Sequence, residues 1–135
     1  MSKRRVVVTG LGMLSPIGNS VEESWQNALS GTSGAHSIES FDTSEHSVKI
    51  GAGVKNLDIG VYMDRKEARR MDPFIQYGLI AGIQAVEDSG IASVQGSVGV
   101  AIGSGIGGIN TIEEMHGTLV KGGPRRVSPF FVPAS

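Results

Sequence analysis

An α/β fold built on a mostly parallel sheet is the architecture this sequence predicts, from three observations. Residues 5–9 and 97–102 are short, valine-rich and apolar at consecutive positions, as strands buried on both faces are. Each run enters a glycine-rich turn, and each is followed by a segment of helical period. Strands alternating with helices place the helices on both faces of a sheet.

Val6, Val7 and Val8 form the first run, which Gly10 and Gly12 close. A helix opens at Asn19 and Ser20. Ser20 and Glu23 stand at capping-box spacing, Val21, Trp25, Ala28 and Leu29 share one face, and Gly31 occupies the left-handed position past the last turn. Residues 32–47 are polar and rich in Gly, Ser and His, the composition of a loop. Val48, Ile50, Ala52 and Val54 then alternate with Lys49, Gly51 and Gly53, the period of a half-buried strand.

Residues 64–71 read as a short charged helix. Asp72 and Pro73 supply an N-cap and a proline at the first helical position, launching a helix to about Ser89 that stops at Gly90. Its apolar residues cover nearly the whole circumference, which predicts burial, and Gly78 and Gly82 make a smooth face for another backbone. Beyond residues 97–102 and the glycines of 103–108, a helix is predicted over 109–119, with Thr111 and Glu114 at capping-box spacing. Three strands are too few to finish a sheet. The sequence therefore reads as the first part of a larger domain, residues 1–135, with no internal boundary.

The 135 residues include no cysteine, which excludes a thiol nucleophile or a zinc-thiolate cage within them and makes a cytoplasmic protein the expectation. A net charge of -1 argues against nucleic acid as a partner. No segment approaches the ~20 apolar residues of a membrane span, and Thr9, Gly10 and Gly12 interrupt the first apolar run too early for a secretory leader. Glycine supplies 20 residues, about twice its usual share of ~7%, without a collagen period. Tight turns and close backbone approaches are its expected uses.

Gly103, Gly105 and Gly108 satisfy Gly-x-Gly-x-x-Gly between a strand-like and a helical segment, and Gly10-Leu11-Gly12 is a partial copy. An NAD(P)-binding oxidoreductase is thus one reading. It lacks the acidic residue expected ~20 positions later, where residues 28–35 hold no acid and residues 121–126 are basic. His36, His46 and His116 have no metal-ligand spacing and read as solvated. Ten of the twelve Lys and Arg fall within residues 3–5, 65–70 and 121–126. Lys66, Arg69 and Arg70 follow i, i+3, i+4 spacing, which aligns them on one helix face. The clustering fits either a solvated surface or an anionic partner, such as an acidic protein.

RRVVVTGLGMLSPIGNSVEESW, DRKEARRMDPFIQYGLIAGIQAVEDSG, AIGSGIGG and GGPRRVSPFFVPAS, in that order, closely resemble the N-terminal part of the bacterial beta-ketoacyl-acyl carrier protein synthases, condensing enzymes of fatty acid synthesis. The isoleucine in GSGIGG aligns the resemblance with type II rather than type I. It implies an incomplete thiolase-like layered fold, the N-terminal part of the first half only, from a homodimeric enzyme. It also implies decarboxylative Claisen condensation, using a cysteine, two histidines and a lysine from segments after Ser135, so that no catalytic residue lies in this chain. Lys66, Arg69, Arg70, Arg125 and Arg126 match positions that meet the acyl carrier protein. Ile106 matches a residue closing the acyl pocket, and Phe131 one lining it across the dimer. The resemblance implies no bound cofactor or metal, since phosphopantetheine arrives on the carrier, and it turns the glycine motif into a turn beside an acyl tunnel. A non-catalytic chain-length-type relative stays open as a further alternative.

Overall fold

The computed structural model describes residues 3–93 and 96–135. In chain order the elements are α1 (Val21–Leu29), β1 (His36–Ser37), β2 (Ile50–Gly51), α2 (Arg65–Ala68), α3 (Pro73–Ser89), α4 (Ile109–Gly122) and α5 (Phe131–Ala134). Short 3-10 turns occupy Ile59–Val61, Ile91–Ser93 and Pro124–Arg126. The chain divides into two compact units, Met1–Leu57 with Ile83–Ser93 and Asp58–Gly82 with Val94–Ser135.

In the first unit, α1 forms where the local signals place it. The Glu23 amide donates to Ser20 Oγ at 3.1 Å, and the Glu23 carboxylate accepts from the Asn19 amide at 2.6 Å. At the other end Gly31, at φ 71, lets its own amide reach the Ala28 carbonyl and the Thr32 amide reach that of Asn27. This is the double bond of a left-handed helix stop. Ahead of α1, Ser15 and Gly18 pair backbone to backbone around Pro16-Ile17, and the buried Ser24 hydroxyl donates to the Gly18 carbonyl at 3.2 Å.

Residues 10–13 are anchored by polar contacts. The Leu11 amide donates to Asp88 Oδ2 at 2.9 Å, and the Met13 amide to Gln84 Oε1 at 3.0 Å. Gly10 lies against the Ala85 carbonyl and Ser89, where a Cβ would overlap backbone atoms. The first glycine motif thus serves close packing.

Among the described residues the second unit carries the buried apolar side chains, Ala68 and Ile80, and with them the buried polar groups Asp72 and Gln76. These four positions are four apart in sequence and so line one stripe from the end of α2 along α3. The Gln76 amide group donates to the carbonyls of Ala68 at 2.8 Å and Met71 at 2.9 Å.

The parallel strands predicted at residues 5–9 and 97–102 are not paired in a ladder among the described residues. Val6 is 85% exposed and Val100 83%. An extended apolar run becomes a strand only when neighbours satisfy its backbone, and the sequence pattern records the demand rather than the supply. The sheet present is a two-stranded antiparallel pair, with His36 opposite Gly51 and Ser37 opposite Ile50, so the alternating run shrinks to two residues and finds its partner inside the predicted loop. Helix α3 spans the predicted residues but keeps Leu79 and Val86 exposed, and no atom lies within 4 Å of a Cβ built on Gly82. Its expected burial is incomplete among the described residues.

Candidate functional site

Lys66, Arg69, Arg70, Arg125 and Arg126 lie in the second unit, all exposed. Asp64 caps α2 by accepting from the amides of Lys66 at 2.7 Å and Glu67 at 3.4 Å. The helix ends at Ala68, so Lys66 sits on α2, Arg69 at its C-cap and Arg70 just beyond. The predicted helix over 64–71 is cut to four residues because the donors that would continue it are elsewhere: the Met71 amide closes a tighter turn on Ala68, the Asp72 amide donates to Ala134, and Pro73 has no amide hydrogen.

Arg125 and Arg126 form part of the 3-10 turn after α4, entered through Gly123 at φ 76. The ion pair among the described residues is Arg65 with Asp58 at 3.3 Å, and it leaves Lys66, Arg69, Arg70, Arg125 and Arg126 unneutralised. Arg70 lies over the ring of Phe130, 5.3 Å from its centroid, which orients the guanidinium without consuming its charge.

An open cavity of about 220 Å³ is lined by Arg69, Arg70, Thr111, Glu114, Phe130 and Phe131, among others. Phe131, the first residue of α5, is half-buried there. Ile106 is not among its lining residues and stands 73% exposed on the glycine turn.

The glycine turn leads into α4 with Gly107 at φ 81, its amide accepted by Ser104 Oγ at 3.0 Å. The N-cap is Gly108, which has no side chain to offer, and the expected capping box at Thr111 and Glu114 does not form. Thr111 instead donates both its amide, at 3.0 Å, and its hydroxyl, at 2.9 Å, to Asp72 Oδ2. Sequence reading assigns Asp72 to α3 alone; its second task, 39 positions away, leaves no local signal. A carboxylate thus already sits at the start of α4, where the helix N-terminus attracts an anion.

With that geometry in place, the chain matches the family described as "Beta-ketoacyl synthase, N-terminal domain" over residues 3–135. The chain belongs to this family. It is 57% identical to the 3-oxoacyl-[acyl-carrier-protein] synthase 2 of Vibrio cholerae serotype O1, over all of this chain and 33% of that protein. The enzyme of the same name in Staphylococcus aureus (strain COL) is 50% identical, over 96% of this chain and 32% of its own length. The chain thus spans about a third of the length of these curated relatives.

Among solved structures, the ishigamide ketosynthase/chain length factor superposes with a TM-score of 0.78 and 28% identity, over 97% of this chain and 34% of that one. A type II polyketide ketosynthase, solved in complex with its acyl-carrier protein, gives 0.74 at 24% identity, over 95% and 35%. The thiolase-like ketosynthase fold, present here in part, is the fold of this family member. Among the described residues no helix is long and apolar enough to cross a membrane.

Proposed function

We propose that this chain supplies the N-terminal third of a cytoplasmic, homodimeric condensing enzyme that elongates acyl chains carried on acyl carrier protein. The observation that carries the reading is 57% identity along the entire chain to 3-oxoacyl-[acyl-carrier-protein] synthase 2. Since the chain contains no cysteine, the thiol that takes the acyl primer belongs to another part of the enzyme. Loss of carbon dioxide from a malonyl thioester leaves a carbanion, which attacks the acyl thioester and expels the thiolate. The 3-oxoacyl chain remains on the carrier, and carrier-borne phosphopantetheine makes a resident cofactor unnecessary.

The part assigned to these residues is recognition. Lys66, Arg69, Arg70, Arg125 and Arg126 meet the acidic carrier, and their exposure without ion-pair partners supports that role. Ile106 and Phe131 bound the acyl chain. The unbroken family match over residues 3–135 supports reading both compact units as parts of one domain.

The test exchanges this chain for the matching third of the Vibrio cholerae relative and measures carrier-dependent 3-oxoacyl formation. The hybrid is expected to be active, and Lys66→Glu with Arg69→Glu is expected to raise KM for carrier-bound substrate while sparing small acyl thioesters. A hybrid that melts like the parent but forms no product overturns the proposal.

A further inference from the structure

We infer that Asp72 is a positioning residue for carrier recognition, because one buried carboxylate ties the basic turn before α3 to the helix that leads to Arg125 and Arg126. The identity of the partner rests on the function proposed above; the tie itself rests on geometry.

Asp72 is 5% exposed, and every polar group it has is engaged. Oδ1 accepts from the Phe74 amide at 3.4 Å, and Oδ2 accepts both donors of Thr111. Its amide donates to the Ala134 carbonyl at 3.0 Å, while its carbonyl accepts from Ile75 and Gln76. One residue thereby caps α3, caps α4 and holds α5. Gly108 makes the approach possible, since a Cβ there would stand 3.1 Å from Asp72 Cβ and Cγ and 2.7 Å from Ser135 Cα.

Both basic clusters hang from this junction. Arg69 and Arg70 lie between the two carbonyls that Gln76 holds, in the turn ending at Asp72. Arg125 and Arg126 follow α4, whose end is fixed by the Gly123 amide on the Leu119 carbonyl and by the Arg126 side chain over Gly122. An acidic surface that engages both clusters gains affinity only if their spacing is preset.

Charge and position predict opposite signs here. Asp72→Asn makes the chain one unit more positive, so electrostatics alone would tighten binding of an acidic protein. Position predicts weakening, because an amide cannot accept from Phe74 on one side and Thr111 on the other.

The experiment titrates fluorescently labelled acyl carrier protein with the 135-residue chain at low salt. Asp72→Asn is expected to weaken binding about tenfold, the cost of ordering the loosened clusters as the partner binds. Thr111→Val should weaken it less and Thr111→Ser restore it, while Ser24→Ala, a control that removes a buried hydroxyl in the first unit, leaves it unchanged. Equal or tighter binding by Asp72→Asn overturns the inference; if that variant fails to fold, unchanged binding by Thr111→Val does so.

Should the parent chain itself bind no carrier, the proposed function falls, and amide exchange at Thr111 decides the tie. Exchange at least about tenfold faster in Asp72→Asn upholds it, and an unchanged rate removes it.

Discussion

Helices α1 and α4 start in opposite ways. Helix α1 draws its cap from its own sequence, Ser20 and Glu23 bonding within four residues, whereas α4 begins at a bare glycine and borrows a carboxylate from 39 positions upstream. A local cap forms whenever the helix does. A borrowed cap forms only after two distant segments have met, so the start of α4 reports tertiary structure. Each unit also has a glycine whose missing side chain makes the contact possible: Gly10 against α3 in the first, Gly108 against Asp72 in the second.

The largest way to break that comparison is to fill those two spaces. Gly10→Ala would press a methyl group onto the Ala85 carbonyl and Ser89, backbone atoms that no rotamer change can move, and about 3 kcal/mol of stability should be lost. Gly108→Ala should cost about 2 kcal/mol, because its overlaps are looser, 2.7 Å to the Ser135 Cα and 3.1 Å to Asp72 Cβ and Cγ against 2.4 Å to the Ala85 carbonyl at Gly10. The single tryptophan, Trp25, lies in the first unit, and both tyrosines, Tyr62 and Tyr77, lie in the second. Urea melts followed by the two emissions therefore separate the effects. If Gly10→Ala shifted only the tyrosine signal, the close approach would be misassigned.

A smaller effect sharpens the contrast in reach. Ser20→Ala deletes the α1 cap and should cost about 1 kcal/mol, with faster amide exchange at Glu23 and its helical neighbours only. Exchange mapped by mass spectrometry should leave α4 untouched. Were α4 to loosen as well, the distinction between local and borrowed caps would fail.

The same distinction explains what could be read from the sequence. Ser20, Glu23 and Gly31 mark both ends of α1, and Asp72, Pro73 and Gly90 bracket α3, because capping chemistry acts within a few residues. The pattern at Thr111 and Glu114 looks identical but misleads, since Gly108 starts the helix and the Thr111 hydroxyl points to Asp72. Residues 5–9 and 97–102 fail as paired strands for a related reason: partners are not encoded in the run itself. The basic residues were legible as clusters. That Gln76 holds the carbonyls on either side of Arg69 and Arg70 was not, because a glutamine on an apolar helix carries no signature until its acceptors are known.

The smallest effect concerns another aspartate, one that works as locally as Ser20 does. Asp42 is exposed, and its carboxylate accepts from the Ser44 amide at 2.9 Å and the Ser44 hydroxyl at 3.1 Å. The backbone bond first, then the hydroxyl, hold its pKa below the ordinary 3.8, while the small desolvation opposes them. A carboxylate with a depressed folded pKa stabilises its turn fully above the unfolded value and loses that contribution as pH falls through the folded one. The window therefore lies at and below the ordinary aspartate range. Ser44→Ala removes the hydroxyl bond and leaves the amide, so the Asp42 carboxyl resonance should titrate at a higher pH than in the parent yet still below 3.8. No change in melting is expected, because an exposed turn that bonds only to itself holds nothing else in place. A melting shift comparable to that of Ser20→Ala would show that the turn at Asp42 is tied to distant structure, as Asp72 is, and would move it to the other side of the comparison.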